Sequence, residues 1–528
     1  MNHITRRAFF KFAGGVTFLT LVPTGEGLFA APASGELLPL FTVIPYIQPG
    51  PASKLIANED TLVVAWQTEF LPADFEVTYG LSKAYATTAT VVRSERVIGA
   101  PDKAKTPADI QIAKDTSVVD HRYNYRAMLT GLKLGSKYYY RVRGNGQILA
   151  EGYASTRKTR GTAIRFAAFG DNSYGDMSDK AIAYQAYMSK PDFIMNTGDN
   201  VYESGMDNEY ARYFFPVYNA DIATPRIGAP LLRSVPFYTV IANHDVHAKT
   251  DAGMPAADFN KDRDSLAFYT AMSLPLNGPA APANPTPILG DDPAVISQFR
   301  DCAADRYPAM ANYSYDYGDA HFLCLDSNDY VDPTNADLQA WIESDLSGTD
   351  ALWKFVVFHH PPFNVGEEHF TEQHMRALSP LFEKHGVDMA LHGHEHTYQR
   401  TMPIKFAPTD LSKAPPPVAA GDEKVKPTDR HVPGTFTVDK DFDGVKNTKP
   451  NGILYITTGA GGRALYEPDF TDAPDRWTHA EDNNVAYIAK FYSNRHSLTL
   501  FEINGPVLKM AQVDEAGLEI DHITITKS

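Results

Sequence analysis

Short apolar segments that end on a side chain able to bind metal recur along this chain. There are five of them, with the endings Gly170-Asp171-Asn172, Gly198-Asp199-Asn200, Ala242-Asn243-His244, His359-His360-Pro361 and Gly393-His394-Glu395-His396. Such segments are typical of buried strands. Loops at the carboxyl ends of parallel strands gather at one edge of an α/β sheet, which is where ligands bind. The pattern therefore predicts an α/β fold whose functional side chains meet at one edge.

From about residue 163 to residue 528, short apolar runs alternate with longer mixed segments, which is typical of strands joined by crossover helices in an α/β sandwich. The predicted strands are Ile164–Phe169, Phe193–Thr197, Phe237–Ile241, His321–Leu325, Lys354–Phe358, Met389–Leu391 and Ile453–Thr457. Helices are predicted at Asp179–Met188 and Thr371–Lys384. The strand-like residues 485–526 are expected to complete the second sheet.

Residues 403–452 have a different composition, rich in proline and charge and poor in large apolar side chains. A long segment of this kind is typical of a surface insertion, which could cover a functional site as a lid.

Residues 41–156 show no sustained helical period. Four segments there read as strands: Thr61–Trp66, Phe75–Gly80, Tyr123–Leu129 and Tyr138–Arg143. This region is predicted to form a small β-sandwich. Leu132 followed by Tyr138 resembles the tyrosine corner of fibronectin type III-like domains. Such domains usually act as spacers, so no chemistry is assigned to this region.

The length and charge of the chain exclude several classes of protein. Its 528 residues exceed what one hydrophobic core supports, so two or more domains are expected. The formal net charge of −16 gives no general attraction for nucleic acid, which argues against a nucleic-acid scaffold role. The two cysteines, Cys302 and Cys324, make neither a disulfide framework nor a thiolate metal site, although they could pair with each other.

The first 33 residues resemble a twin-arginine export signal. Arg6-Arg7 precedes Phe9-Phe10-Lys11, an apolar stretch follows from Phe12 to Pro23, and small residues stand at Ala31 and Ala33. This arrangement predicts a periplasmic or secreted protein with no stable membrane anchor. The oligomeric state is not predicted.

Taken together and in this order, the five endings resemble the motifs of the calcineurin-like metallophosphoesterase superfamily, and within it those of the purple acid phosphatases. The superfamily usually begins with Asp-x-His, whereas this chain has Asp171-Asn172-Ser173. The purple acid phosphatases lack that histidine and have a tyrosine three residues after the bridging aspartate, as Tyr202 follows Asp199. The resemblance extends from about Pro45 to the C-terminus. It implies a β-sandwich flanked by helices (αββα), preceded by a small all-β fibronectin type III-like domain.

The resemblance implies two metal positions. The ferric position would take Asp171, Asp199, Tyr202 and His396, and the divalent position Asp199, Asn243, His359 and His394. His359 is preferred to His360 because the family has one residue between this ligand and proline. Carboxylate and phenolate oxygens suit Fe(III), and imidazole with carboxylate suits Zn, Mn or Fe(II). The implied reaction is hydrolysis of phosphate monoesters by a metal-bound hydroxide, with a small phosphorylated substrate.

Three further residues are predicted to act on the substrate. His244 is expected to contact the phosphate and help protonate the leaving group, and Asp245 to orient it. His369, ten residues after His359, stands where related enzymes place a substrate-contacting histidine. Two residues depart from the family, since Ala242 and Ser173 both replace usual glycines.

Two alternatives remain open. One is a phosphodiesterase or nucleotide hydrolase on the same two-metal site. The other is an inactive exported binding protein that acts through its β domain, against which stands the complete set of seven predicted ligands.

Overall fold

The structure is a computed structural model that describes the chain from Phe41 to Lys527 with several gaps. The described residues are 41–55, 58–69, 73–98, 120–246, 248–249, 254–280, 285–366, 368–417, 429–466, 482 and 485–527. The predicted export signal, residues 1–33, lies outside them. Within the described residues, no helix has both the length and the apolar character needed to cross a bilayer.

Among its described residues, the N-terminal region contains eight strands in two four-stranded antiparallel sheets. The strands are β1 (Phe41–Gln48), β2 (Glu59–Glu69), β3 (Phe75–Gly80), β4 (Thr87–Ala89), β5 (Val91–Ile98), β6 (Asp120–Lys133), β7 (Lys137–Gly144) and β8 (Gln147–Ser155). The sheet orders are β1-β2-β6-β5 and β4-β3-β7-β8. All four segments predicted as strands are strands.

Local sequence explains how this N-terminal sandwich closes. Asn145 and Gly146 both have positive φ, 48° and 77°, which makes the two-residue turn that joins β7 to β8. Trp66 stacks on Tyr125 at 5.4 Å between the strands β2 and β6, inside a core that is separate from the larger one. The Tyr138 hydroxyl accepts a hydrogen bond from the Lys133 N–H at 2.9 Å, as a tyrosine corner requires.

The remainder of the chain contains eighteen further strands among the described residues. They are β9 (Ile164–Phe169), β10 (Phe193–Asn196), β11 (Phe237–Thr239), β12 (Ala248–Lys249), β13 (Pro255–Asp258), β14 (Ile288–Leu289), β15 (Tyr313–Tyr317), β16 (Ala320–Cys324), β17 (Trp353–Val357), β18 (Met389–His392), β19 (Tyr398–Thr401), β20 (Ile404–Pro408), β21 (Gly434–Val438), β22 (Leu454–Thr458), β23 (Ile488–Tyr492), β24 (Ser497–Asn504), β25 (Val507–Asp514) and β26 (Glu519–Thr526).

The helices of this second region are short. The α-helices are α1 (Met177–Met188), α2 (Asp207–Glu209), α3 (Phe215–Tyr218), α4 (Ala267–Ala271), α5 (Pro293–Ala303), α6 (Ala336–Ser347) and α7 (Ser379–Lys384). A π-helix spans Tyr210–Phe214, and 3-10 helices span Leu231–Arg233, Ala304–Arg306, Ala309–Ala311 and His374–Leu378.

Two large sheets pack face to face and form the core of the second region. One has six strands in the order β11-β10-β9-β24-β25-β26, and the other has seven in the order β15-β16-β17-β18-β22-β19-β23. Phe166 in the first sheet meets Phe322 and Phe355 of the second edge-on, at 5.3 and 5.6 Å. With the helices outside, this is the predicted αββα sandwich, preceded by an all-β domain.

Parallel strands in both sheets direct their carboxyl ends to one edge. In the first sheet β9, β10 and β11 are parallel, and in the second β16, β17, β18 and β22 are parallel. Each of the five sequence endings follows one of these strands, so the topology places all five at the same edge.

Two predictions about secondary structure are wrong in part. The helix predicted over Thr371–Lys384 is a 3-10 helix from His374 followed by α7 from Ser379. Pro380 lies in the first turn of α7 and has no N–H, so it cannot continue a helix from the preceding turn. The C-terminal strands do not complete one sheet only, because β23 joins the seven-stranded sheet and β24–β26 extend the six-stranded one.

Part of the segment predicted as a surface insertion is buried. Strands β20 and β21 pair as a two-stranded sheet, and Phe406 and Val432 belong to the main core. The Arg430 N–H donates to the Thr371 carbonyl, so this stretch lies against the chain that leads to the 3-10 helix at His374. Residues 418–428 lie outside the described residues.

The two cysteines are buried and unpaired. Cys302 contacts the Ser94 hydroxyl and the Asn124 amide of the N-terminal sandwich, each at 3.2 Å. Cys324 lies in β16 inside the main core. The two thiols therefore lie in different surroundings and do not form the disulfide that the sequence left open.

A buried ionic contact joins the N-terminal sandwich to the chain just after Tyr202. Asp207, which is fully buried, accepts from Arg122 at 3.0 Å and from the Gln67 amide at 3.1 Å. The Glu209 carboxylate accepts from the Ser204 and Met206 N–H groups at 2.9 and 3.2 Å. The segment between Tyr202 and the π-helix is therefore held from both sides.

Candidate metal site

Glycine and left-handed residues allow the strand ends to approach one another closely. A Cβ on Gly198, which has a φ of 101°, would lie 2.8 Å from the His359 Nδ1, so no larger residue fits there. Asp171, Asp199 and His394 have φ values of 58°, 50° and 67°. This conformation is unfavourable for residues other than glycine, and where it persists it often marks a functional site.

Three of the predicted ferric ligands lie against one another. The Tyr202 hydroxyl donates to the Asp171 Oδ1 at 3.1 Å and lies 3.2 Å from the His396 Nε2. His396 donates from Nδ1 to the Ala464 carbonyl at 2.7 Å, which leaves the lone pair of Nε2 directed at Asp171, 3.5 Å away. A carboxylate oxygen, a phenolic oxygen and an imidazole nitrogen, from Asp171, Tyr202 and His396, therefore lie close together.

Asp199 connects this group to the second one. Its Oδ2 lies 3.4 Å from the His359 Nε2, and the ligand atoms of Asp171, Asp199 and His359 all lie within 4.8 Å of one another. His359 donates from Nδ1 to the Thr197 carbonyl at 2.9 Å, so Nε2 is the nitrogen directed at the carboxylates.

Two buried polar atoms at this point have no hydrogen-bond partner among the described residues, the Asn243 Oδ1 and the His359 Nε2. Such atoms are costly to bury unless something binds them. The His359 Nε2 faces the Asp199 carboxylate, Asn243 follows β11 at the same sheet edge, and amide oxygen with imidazole suits a divalent metal ion. The residues present therefore fit the metal pair that the sequence implies.

His394 approaches the site through its other nitrogen. Its Nε2 lies 2.9 Å from the Glu372 Oε2, and burial together with His369 and His359 holds the pKa of His394 well below its usual value. A neutral ring that donates from Nε2 keeps its lone pair on Nδ1, which leaves Nδ1 available to a metal ion.

His360 lies on the other side of the strand end from Asp199. Its Nδ1 contacts the Ser327 hydroxyl at 2.9 Å, and its Nε2 is 3.8 Å from Glu372. With Glu372 and His394 it forms a second group of potential ligands. The geometry favours His359, rather than His360, as the residue that faces Asp199.

The buried ionisable side chains of the site shift the pKa values of one another. Burial opposes ionisation of Asp199, yet the adjacent His359 and His244 hold its pKa below the ordinary value. Burial would lower the pKa of His359, but Asp199 and Asp171 raise it to about 9. Burial, with Asp171 and Asp199, raises the pKa of Tyr202 well above normal. Metal binding would therefore displace protons from this site.

The two histidines predicted to act on substrate flank the ligands. His369 lies with its ring 3.8 Å from the His394 ring, and Glu372 accepts from its Nδ1 at 2.9 Å. Burial would lower the pKa of His369, but Glu372 raises it to about 9. His244 donates its backbone N–H to the Asp199 Oδ1 at 3.0 Å, and its Nδ1 lies 2.8 Å from the Glu203 carbonyl.

Asp245 has partners other than the expected one. Its carboxylate accepts from the Ala242 N–H at 3.0 Å and from the Tyr210 hydroxyl at 3.2 Å. Burial, followed by repulsion from Asp199, raises its pKa well above normal. These contacts support the turn that carries Asn243.

Of the two family glycines that are replaced, only Ser173 has a backbone that favours glycine. Its φ is 61°, whereas Ala242 is not among the described residues with positive φ. The left-handed conformation costs about 1–2 kcal/mol for a residue with a Cβ. The substitution at Ala242 therefore carries no such cost.

Three residues at the site did not follow from the sequence. Glu372 joins His369 to His394, Tyr466 stacks on His396 at 4.2 Å, and Arg463 lies over Tyr174 at 3.8 Å. Arg463 and Tyr466 follow the run Gly459-Ala460-Gly461-Gly462 after β22. That run is a sixth strand ending at the same edge, and it is the feature of the sequence from which Arg463 and Tyr466 could have been predicted to lie at the site.

Two family models match the chain. "Calcineurin-like phosphoesterase" matches residues 164–398, and "Purple acid Phosphatase, N-terminal domain" matches residues 53–160. The first range spans the strands β9 to β18 with all seven predicted ligands, and the second spans most of the N-terminal sandwich.

Curated relatives of the chain are named as acid phosphatases. Purple acid phosphatase 17 of Arabidopsis thaliana is 26% identical over 280 residues, which are 50% of this chain and 72% of the relative. Tartrate-resistant acid phosphatase type 5 of Sus scrofa is 25% identical over 275 residues, 48% of this chain and 71% of the relative.

Solved structures share the fold. A purple acid phosphatase from yellow lupin (Lupinus luteus) seeds, PPD1, aligns with a TM-score of 0.60 at 17% identity, over 91% of this chain and 74% of that one. PhoD aligns with a TM-score of 0.52 at 13% identity, over 94% of both chains. The two family models and the curated relatives show that the chain belongs to the purple acid phosphatase-like members of the calcineurin-like metallophosphoesterase superfamily and is a metal-dependent phosphatase.

Proposed function

We propose that this protein hydrolyses phosphate monoesters at a dinuclear site that holds Fe(III) and a divalent ion, either Zn, Mn or Fe. In this proposal Asp171, Asp199, Tyr202 and His396 hold the ferric ion, and Asp199, Asn243, His359 and His394 hold the divalent ion. The observation that carries it is the position of the Tyr202 hydroxyl, 3.1 Å from the Asp171 Oδ1 and 3.2 Å from the His396 Nε2. A phenolic oxygen among hard ligands favours a trivalent iron.

When bound, such a pair activates water, aligns the phosphorus and neutralises charge that develops in the reaction. The chain's own residues do the rest. His369, kept cationic by Glu372, donates to a phosphate oxygen. His244, whose Nδ1 is held by the Glu203 carbonyl, would protonate the leaving oxygen from Nε2 in its cationic form, although burial lowers its pKa.

The visible spectrum of the purified protein tests the iron assignment. Phenolate bound to Fe(III) absorbs visible light, so we expect a coloured protein that loses its colour in Tyr202→Phe. Tyr218→Phe is the matched control, because Tyr218 is also fully buried and stacks on Phe169 at 5.6 Å. A colourless protein that contains only divalent ions would overturn the ferric assignment and leave the two-metal site intact.

A substrate panel tests the reaction class. We expect faster hydrolysis of phosphate monoesters than of the matching diesters, because a diester has one charge fewer to place between the two ions. The reverse order would establish the phosphodiesterase alternative. Absence of metal and of turnover with every ester would establish an inactive binding protein.

Export is proposed from the sequence alone. The twin-arginine pattern at Arg6-Arg7 would direct residues 1–33 for removal and release the protein to the periplasm or beyond. We expect Arg6→Lys combined with Arg7→Lys to keep the protein in the cytoplasm, as measured by cell fractionation.

Two domains are proposed for the mature chain, a fibronectin type III-like domain over residues 41–156 and a catalytic domain over residues 163–528. The separate core of the first and the Tyr138–Lys133 contact support this division.

A further inference from the structure

Arg463 holds a guanidinium at the edge of the candidate metal site. Its backbone N–H donates to the Asp171 carbonyl at 2.9 Å, so its position is fixed by the first strand ending. Its Cζ lies 3.8 Å from the Tyr174 ring centroid and 5.1 Å from that of Tyr202. Its side chain is 24% exposed, whereas Asp171 and Tyr202 are fully buried. The guanidinium therefore lies in the layer between the ligands and solvent.

This guanidinium is only weakly paired. Its one ion pair among the described residues is with the Glu203 Oε1 at 3.7 Å, and no side-chain hydrogen bond of Arg463 occurs there. A distance of 3.7 Å is too long for a charge-assisted hydrogen bond.

The N-terminal sandwich contains a matched arginine whose Nε donor is occupied. Arg141 lies over the Tyr85 ring at 4.1 Å, is 21% exposed and donates from Nε to the Glu151 Oε1 at 2.6 Å. The Tyr85 hydroxyl donates to the same carboxylate oxygen at 3.0 Å. The two arginines thus lie over an aromatic ring in the same way and are similarly exposed. They differ in the distance to the nearest carboxylate oxygen, which is 2.6 Å for Arg141 and 3.7 Å for Arg463.

We propose that Arg463 binds a second phosphoryl group of the substrate, so that the enzyme selects phosphate compounds with two adjacent phosphoryl groups. The proposal rests on the proposed phosphatase function. An arginine held flat by an aromatic ring presents planar N–H donors that match two phosphate oxygens. In a chain with a net charge of −16, a local cation beside the metal ligands also favours the approach of an anionic substrate.

The reaction of such a substrate balances without a further reactant. Water attacks the terminal phosphorus of a nucleoside diphosphate, the new P–O bond forms, and the bridging P–O bond breaks. The products are inorganic phosphate and the nucleoside monophosphate, whose released oxygen is the one beside Arg463. The proton of the attacking water passes to the products or to the solvent.

ADP and AMP are the probes, because they differ by one phosphoryl group. We compare kcat/KM for both in the wild type, Arg463→Gln, Arg463→Lys and the control Arg141→Gln, each loaded with metal. Removal of the guanidinium is expected to lower kcat/KM for ADP roughly 10- to 100-fold more than that for AMP, as expected for lost charge-assisted hydrogen bonds. Arg463→Lys keeps the charge without the fork and is expected to fall between, and Arg141→Gln is expected to keep the wild-type ratio.

Calorimetric binding of non-hydrolysable phosphonate analogues of ADP and AMP to the metal-loaded protein gives a readout that needs no turnover. The proposal is supported if Arg463→Gln weakens binding of the ADP analogue more than that of the AMP analogue. It is overturned if both nucleotides are affected equally, which would mean that Arg463 acts through Tyr202 or the fold, or if neither is affected. A wild type that binds the ADP analogue through Arg463 but hydrolyses neither nucleotide would refute the phosphatase proposal alone.

Discussion

The two sandwiches of this chain place their strained and charged residues differently. In the described part of the N-terminal sandwich, the non-glycine residues with positive φ are Asn58, Tyr85 and Asn145, all outside the strands. In the catalytic sandwich, Asp171, Asp199 and His394 have this conformation where strands end, and Ser173, Lys190, Leu266 and Ala304 have it elsewhere. The first region thus uses left-handed residues only between its strands, whereas the second also has them at three of the predicted metal ligands.

Buried aspartates show the same contrast. Asp60 of the N-terminal sandwich accepts from the Arg157 Nε at 3.0 Å and from its backbone N–H at 2.7 Å. Asp199 lies instead 3.4 Å from the His359 Nε2, a buried atom without a hydrogen-bond partner among the described residues. A buried carboxylate thus supports the fold in one sandwich and is available for a metal ion in the other.

The largest expected effect is that of Asp199→Asn. Because this residue is proposed to bridge both ions, the variant should lose at least one of them and fall by about 10³-fold or more in kcat/KM, since a metal pair supplies several kcal/mol of transition-state stabilisation. Metal content by mass spectrometry and initial rates measure it. Two ions per chain with near-normal activity would contradict the bridging role.

Asp60→Asn, in contrast to Asp199→Asn, should lower stability and not activity. It leaves the buried Arg157 without its charge partner, so the free energy of unfolding should fall by about 3–5 kcal/mol, while activity per folded molecule is retained. Urea denaturation gives the first quantity and active-site titration the second. Asp350→Asn, which removes a partner of Arg160 that is 90% exposed, is the control and should leave the denaturation midpoint unchanged.

His321 extends the comparison to pH. Burial alone would lower its pKa, but hydrogen bonds to Asp316 and Asp345, both at 2.8 Å, raise it above the ordinary value. Its charge therefore stabilises the fold fully below about pH 6.5, and this contribution is lost as pH rises through the raised pKa.

His321→Gln should accordingly lower the free energy of unfolding by about 1–2 kcal/mol more near pH 6 than near pH 9. Denaturation midpoints across this range measure it. The pKa of Asp316 is lowered despite its burial, chiefly by His321. The stability that Asp316 contributes is therefore lost only at a lower pH, outside the range from about pH 6 to pH 9. A deficit that grows with pH would contradict the assignment.

The smallest effect is expected for Tyr138→Phe. The variant removes the hydroxyl that accepts from the Lys133 N–H, so the N-terminal sandwich should lose about 1 kcal/mol. Thermal unfolding measures it. Unchanged stability would mean that water replaces the hydroxyl and that the corner does not stabilise this domain.

The strands and most of the site could be predicted because they depend on local sequence. Buried runs such as Ile164–Phe169 coincide with β9 residue for residue, since length, apolar character and the following glycine all agree. Asp171 and Asp199 followed from their place at strand ends, which topology brings to one edge.

Other features depend on pairs of residues far apart in the chain. Glu372 contacts His394 across 22 residues of chain that include α7 and β18, and no local pattern marks it. The division of the C-terminal strands between two sheets was missed for the same reason, because alternation of apolar residues does not say which sheet a strand joins.

The contact of Asp207 with Arg122 and Gln67 has a consequence for how this enzyme can be divided. A fragment that begins at residue 163 would lose both side chains that contact this carboxylate, the Arg122 guanidinium that neutralises it and the Gln67 amide that donates to it. That carboxylate stands five residues after Tyr202, in the segment that carries the proposed iron-binding phenol. The catalytic domain is therefore not expected to be independent of the N-terminal sandwich, and a shortened protein would need to retain the strands β2 and β6.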